Sequence, residues 1–239
     1  MNLFAYLRNR FLEFFGDIKV FKFPFFLLYD PGSYKVKGFE IRYVIDNIQP
    51  GDIVVRGYSN YLDGFFIPGF FSHTGLFLGE THKGNLLLPD VIESKFYEGK
   101  QVVIHSMAEG VFMEDIINFC KCDYLLILRR STEIESSSEI DSSFTAIYEN
   151  ALKNLGKGYD FKFDFSNIHN LSCTELVYTC CIGYLSKYNV KIKQKRVFLK
   201  KRQILIPDDF VTKQFKVVFK SRSIQPEKLN KIMQKNSAS

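Results

Sequence analysis

The chain has no tryptophan, four histidines and seven prolines among its 239 residues. The scarcity of histidine is the most restrictive of these. Any cysteine or serine nucleophile that needs an imidazole base must draw on His73, His82, His105 or His169. The five cysteines, Cys120, Cys122, Cys173, Cys180 and Cys181, contain no paired C-x-x-C spacing, which argues against a structural zinc site. Their odd number in a chain too long to need staples reads as free thiols in a reducing, cytoplasmic setting. No uncharged apolar run reaches the ~18 residues of a membrane span. The apolar N-terminus is broken by Arg8, Arg10, Glu13, Asp17, Lys19 and Lys22 and has no small-residue cleavage site, so neither a signal peptide nor a span is expected. Leu3, Phe4, Leu7, Phe11, Phe14 and Phe15 fall on one broad face of a helix over residues 2–15. That face either packs on the body or makes peripheral membrane contact.

What is abundant is phenylalanine, 25 residues beside 13 tyrosines, which reads first as ring-rich core packing. With 46% apolar and 24% charged residues the chain is globular, one large domain or one domain with extensions. Between Lys187 and Arg202 eight basic residues stand without an acid, more than the whole net charge of +6. No nucleic-acid motif accompanies them, so the segment reads as a solvated edge or a surface for a polyanion, and no nucleic-acid partner is expected.

Turn residues and hydrophobic periodicity divide the chain into an N-terminal extension (1–48), a main domain (49–220) and a frayed basic tail (221–239). Ile53–Arg56, Ser72–Gly79, Gln101–His105, Tyr124–Arg129 and Phe215–Phe219 read as strands. Leu86–Glu93 is expected to return beside the second of them after a reversal near Gly84. Short-range spacing predicts helices near Met113–Phe119, from a cap near Asp141 or Ser142 to Leu155, and over Cys173–Leu185.

Cys173 stands apart from the other cysteines because it opens a predicted helix. Unpaired N–H groups and the dipole there favour a thiolate, making it the natural nucleophile. Cys180 and Cys181 lie on the apolar face of the same helix and read as small hydrophobes. His73 opens a strand directly after the apolar loop Gly64–Phe71, at a sheet end where a cleft would lie.

Pro50-Gly51-Asp52-Ile53-Val54, Ser72-His73-Thr74-Gly75-Leu76-Phe77-Leu78-Gly79, Gly156-Lys157-Gly158-Tyr159-Asp160-Phe161 and Cys173-Thr174-Glu175-Leu176-Val177 occur in that order. Together they resemble the circularly permuted NlpC-type papain-like cysteine peptidases, in particular the YiiX/YebB-like hydrolases. The resemblance covers about residues 48–185. It implies an α+β, permuted papain-like fold in which an antiparallel sheet packs against the helix carrying the cysteine. By the same resemblance Cys173 is the nucleophile and His73 the general base, with a third polar residue to orient the imidazole. Val91-Ile92-Glu93-Ser94 and Val103-Ile104-His105-Ser106 both look like the segment that supplies it. A reversal at Lys83-Gly84 would set Glu93 opposite His73 and favours it; the Gly110-Val111 and Asp115-Ile116 that follow favour His105. Tyr159, in a turn where Gly158 replaces the usual proline, either lines the substrate site or is a packed ring.

The implied activity is hydrolysis of an amide in a small peptide or peptidoglycan-derived fragment, with no metal or organic cofactor. A lipid acyltransferase or thioesterase resembling the lecithin:retinol acyltransferase-like branch is an alternative suited to Phe65, Phe66, Phe70 and Phe71. A non-catalytic binding module is another.

Overall fold

The computed structural model describes residues 18–21, 26–29, 34–59, 69–84, 90–163, 165, 168–197 and 200–237. The chain divides into two units, Met1–Lys35 and Val36–Ser239. The first contains an antiparallel pair, β1 (Ile18–Phe21) and β2 (Phe26–Tyr29), with Ile18 opposite Tyr29. The helix expected over residues 2–15 lies outside the described residues, as do Phe65 and Phe66.

The second unit carries strands β3 (Ile53–Gly57), β4 (His73–Thr81), β5 (Gly99–Met107), β6 (Gly110–Asp115), β7 (Tyr124–Arg129), β8 (Lys193–Val197), β9 (Lys200–Ile204) and β10 (Lys216–Lys220). Its helices are α1 (Gly38–Asn47), α2 (Asp90–Glu93), α3 (Ile116–Phe119), α4 (Ser137–Asn154), α5 (Cys173–Leu185) and α6 (Pro226–Ser237). Six strands form one sheet in the order β10-β7-β3-β4-β5-β6, all neighbours antiparallel, while β8 and β9 pair separately.

The central strands are apolar on both sides because both faces of the sheet are covered. Ile53, Val55, Leu76, Ile104, Leu126 and Leu128 pack with Leu176, Val177, Ile147 and Ala151 of α5 and α4. Val54, Phe77, Val103, Leu125 and Ile127 pack on the other side with Val44 of α1 and Ile116 and Phe119 of α3. Each such side chain stabilises the fold by about 1.5–3 kcal/mol relative to exposure.

Five expectations need correction. Residues 90–93 form the short helix α2 rather than a returning strand, and the partner of β4 is β5. The segment read as a helix from Met113 is strand β6 up to Asp115, whose side chain then caps α3 by accepting from the Ile117 N–H. Helix α4 starts five residues earlier than the apolar spacing suggested, because Ser136 and Glu139 form a reciprocal capping box. The basic tail is the helix α6, which buries Leu229 and Ile232, and Val36 and Val44 join the core of the body, so the extension ends near Lys35 rather than residue 48.

Candidate active site

The site gathers at one end of the sheet. His73 is the first residue of β4 and the cross-strand partner of Arg56 on β3, while His105 lies opposite Gly75 on β5. Strand alternation sends the His73 ring to the Phe77 side of the sheet. Glycine at position 75 clears the space, since a Cβ there would sit 2.8 Å from both Phe119 and Val103. His73 Nε2 then meets His105 Nδ1 at 2.9 Å, with the rings 80° apart. Phe119 lies 5.5 and 5.4 Å from the two rings and Phe112 lies 4.3 Å from His105. Glu114, on the next strand, brings Oε1 to 3.1 Å from His105 Nε2, off the direction of the ring N–H.

This row favours one placement of the protons. A carboxylate beside His105 Nε2 favours the tautomer with the proton on that nitrogen, in which Nδ1 accepts from His73 Nε2. His73 Nδ1 is left with a free lone pair. Burial holds the His73 imidazole well below its ordinary range, with the charges of Arg56 and His105 acting in the same direction. Burial also lowers His105 and outweighs the opposing pull of Glu114. Both rings are neutral at neutral pH.

Cys173 is the first residue of α5. Ser172 caps the helix and Glu175 returns a carboxylate oxygen to the Ser172 N–H at 2.7 Å. The helix start is tied down by Ser106 Oγ donating to Leu171 O and by Thr174 Oγ1 donating to Leu205 O at 2.8 Å. Gly110 (φ +91°) lets β6 begin against this region: a Cβ would sit 2.4 Å from Lys157 O, and the Val111 N–H donates to that oxygen. Gly158 replaces a proline for an equally local reason, because its N–H donates to His169 O and Asn170 Oδ1 leaves no room for a Cβ.

The thiol of Cys173 is 1% exposed. Burial pushes it up to about 11, against the backbone N–H groups of Thr74 and Thr174 and the Arg56 charge, which favour thiolate. The depressed thiol expected from the helix start is therefore overridden by desolvation. The sulfur sits at the backbone of Thr74, the neighbour of His73, but the His73 ring leaves from the other face and no hydrogen bond joins it to the sulfur.

Glu93 is not part of this row. It is exposed on α2 and pairs with Lys83, so the hairpin register that favoured it is not formed. His82 is exposed between Glu80 and Glu98, and His169 is exposed. Tyr159 is half-buried and packs edge-on against Phe161 and Phe163, at 4.9 and 5.9 Å. Phe71 is buried in the core with Phe70 packed on it. Glu114 and Arg56 were not singled out from the sequence. Glu114 was hidden by the helical reading of β6, whereas pairing β3 with β4 in register would have exposed Arg56.

Residues 47–233 match the model of a family described as permuted papain-like amidase enzymes, YaeF/YiiX, C92 family. Among solved structures the chain is similar to the crystal structure of metalloprotein yiiX from Escherichia coli O157:H7. The TM-score is 0.50 and the identity 16%, covering 73% of this chain and 98% of that one, a likeness of fold. No curated protein matches significantly. Among the described residues no three His, Cys, Asp or Glu side chains are grouped to hold a metal, and the facing nitrogens of His73 and His105 are committed to each other. With the family match spanning most of its length, and with an antiparallel sheet packed against the cysteine-bearing helix, the chain belongs to the permuted papain-like amidase family and is a hydrolase.

Proposed function

We propose that the protein is a cysteine amidase in which Cys173 is the nucleophile, His73 the general base and His105, backed by Glu114, the group that orients His73. The observation that carries this reading is the 2.9 Å hydrogen bond between His73 and His105, at the sheet end where α5 delivers Cys173. In the resting protein both partners are neutral, so the proton leaves sulfur as attack begins rather than beforehand. His73 Nδ1, the free lone pair of the row, receives it through a contact with the sulfur that the resting protein lacks and that forms only with the substrate in place. The sulfur bonds to the amide carbonyl carbon, and the N–H groups at the start of α5 stabilise the oxyanion. Collapse breaks the C–N bond as His73 returns the proton to the leaving amine. Water, activated by the same ring, then hydrolyses the thioester. The developing imidazolium is stabilised through His105 toward the Glu114 carboxylate.

A small peptide or peptidoglycan-derived fragment is the proposed substrate class. The described part of the Phe-rich loop supports this over a lipid acyl chain, because Phe71 is spent on the core. The test compares turnover of a short peptide amide with its matched ester, in wild type and Cys173→Ala. Amide hydrolysis that Cys173→Ala abolishes supports the reading. Turnover of the ester alone would replace it with the acyltransferase or thioesterase reading, and activity that survives in Cys173→Ala would remove the nucleophile.

A further inference from the structure

The interior beside His73 holds a positive charge that has no negative partner among the described residues. Arg56 is 5% exposed, and among the described residues no carboxylate pairs with it. Its Nη1 donates to Phe119 O at 3.0 Å, its Nη2 reaches Met107 Sδ at 3.6 Å, and its plane lies 4.2 Å over the Phe119 ring. Nε is buried without any partner. The Tyr58 ring also lies 5.7 Å from the guanidinium. A guanidinium has five N–H donors, and one carbonyl, a thioether and two rings do not replace the water it loses.

Arginines elsewhere in this fold are treated differently. The buried Arg130 is held by both oxygens of Glu135, and the half-buried Arg129 by both oxygens of Asp52. The missing anion at Arg56 is therefore specific to this place. Directly opposed cross-strand residues share a face, so Arg56 and His73 project on the same side. Met107, which Arg56 touches, is 37% exposed at the end of β5. The Arg56 charge also acts on the Cys173 thiol, so it lies within electrostatic reach of both reacting groups.

We propose that Arg56 is a specificity-determining residue that receives a carboxylate of the substrate. The scissile amide then belongs to a molecule with a free carboxylate close to that bond, as at the C-terminal residue of a peptide. This inference rests on the amidase reading above and names the substrate class within it.

Two alkylating probes of nearly equal size, iodoacetate and iodoacetamide, test it without any turnover. Each forms an S–C bond at Cys173 as the C–I bond breaks and iodide leaves, but only iodoacetate carries a carboxylate. The rates at Cys173 are read by peptide mapping, and the iodoacetate to iodoacetamide ratio is compared with that of glutathione under the same conditions. The expected ratio for the wild-type protein exceeds that of glutathione at least tenfold. Arg56→Gln brings it down to the glutathione value, and Arg56→Lys, which keeps the charge, stays above it. A wild-type ratio equal to that of glutathione overturns the proposal without using any variant, and leaves Cys173 as nucleophile. Failure of both reagents to label Cys173 in the folded protein removes the nucleophile itself, and the proposal with it.

Discussion

At the scale of single residues, burial decides the chemistry more than local sequence does. A helix N-terminus favours thiolate, yet desolvation at Cys173 outweighs it and leaves the thiol near 11. Labelling of Cys173 by iodoacetamide should accordingly rise above pH 9, beyond the range near 8.5 where a free thiol titrates; rapid labelling at pH 6 would indicate a preformed thiolate–imidazolium pair instead. The row beyond His73 makes a second distinction. His105→Ala should lower kcat by roughly 10²-fold, at the low end of the general acid–base range, because His73 loses the partner that fixes its tautomer. Glu93→Ala should leave kcat unchanged and shift stability by less than about 1 kcal/mol, as for an exposed ion pair. Equal losses in the two variants, measured with the same amide substrate, would contradict the placement of His105.

At the scale of elements, the sequence was most legible where a local signal and the tertiary structure agree. Ser172, Cys173 and Glu175 announce the start of α5, and the structure begins the helix at Cys173 and ends it at Leu185 as the spacing implies. Replacing Ser172 by Ala should cost about 1 kcal/mol through loss of the cap, measurable as a lower midpoint in urea. Gly110→Ala should cost more, roughly 1–3 kcal/mol of backbone strain, because its φ is positive and Lys157 O occupies the space of a Cβ. The sequence was least legible where pairing overrides periodicity. Met113, Ile116 and Phe119 are spaced like a helix, but the ladder with β5 holds Gly110–Asp115 extended, and that misreading concealed Glu114. The hairpin register that favoured Glu93 over His105 is absent for a related reason. Counting across a hairpin assumes that the chain reverses at once, whereas here α2 intervenes before β5 returns.

At the scale of the whole molecule, the permuted order places the histidine strands before the cysteine helix, and both faces of one sheet are used: α5 packs on one while His73, His105 and Arg56 occupy the other. This arrangement has a pH signature. Burial sets the folded-state pKa of His73 and His105 below the ordinary value near 6.5. The unfolded chain then binds more protons, so the stability they contribute is complete above about pH 6.5 and is lost as the pH falls below it. Asp52 and Glu175, raised by burial, act in the opposite direction at lower pH. Thermal unfolding followed between pH 7.5 and 5 should therefore show a Tm that falls less steeply in His105→Gln than in wild type. The most direct measurement of the central claim is the site of acylation. An activated ester such as an N-acetylalanine p-nitrophenyl ester, quenched in acid and mapped by peptide mass, should place the acyl group on Cys173, with slower loading in His73→Ala and none in Cys173→Ala. An acyl group on any other residue, or loading that does not change when His73 is removed, would contradict the account.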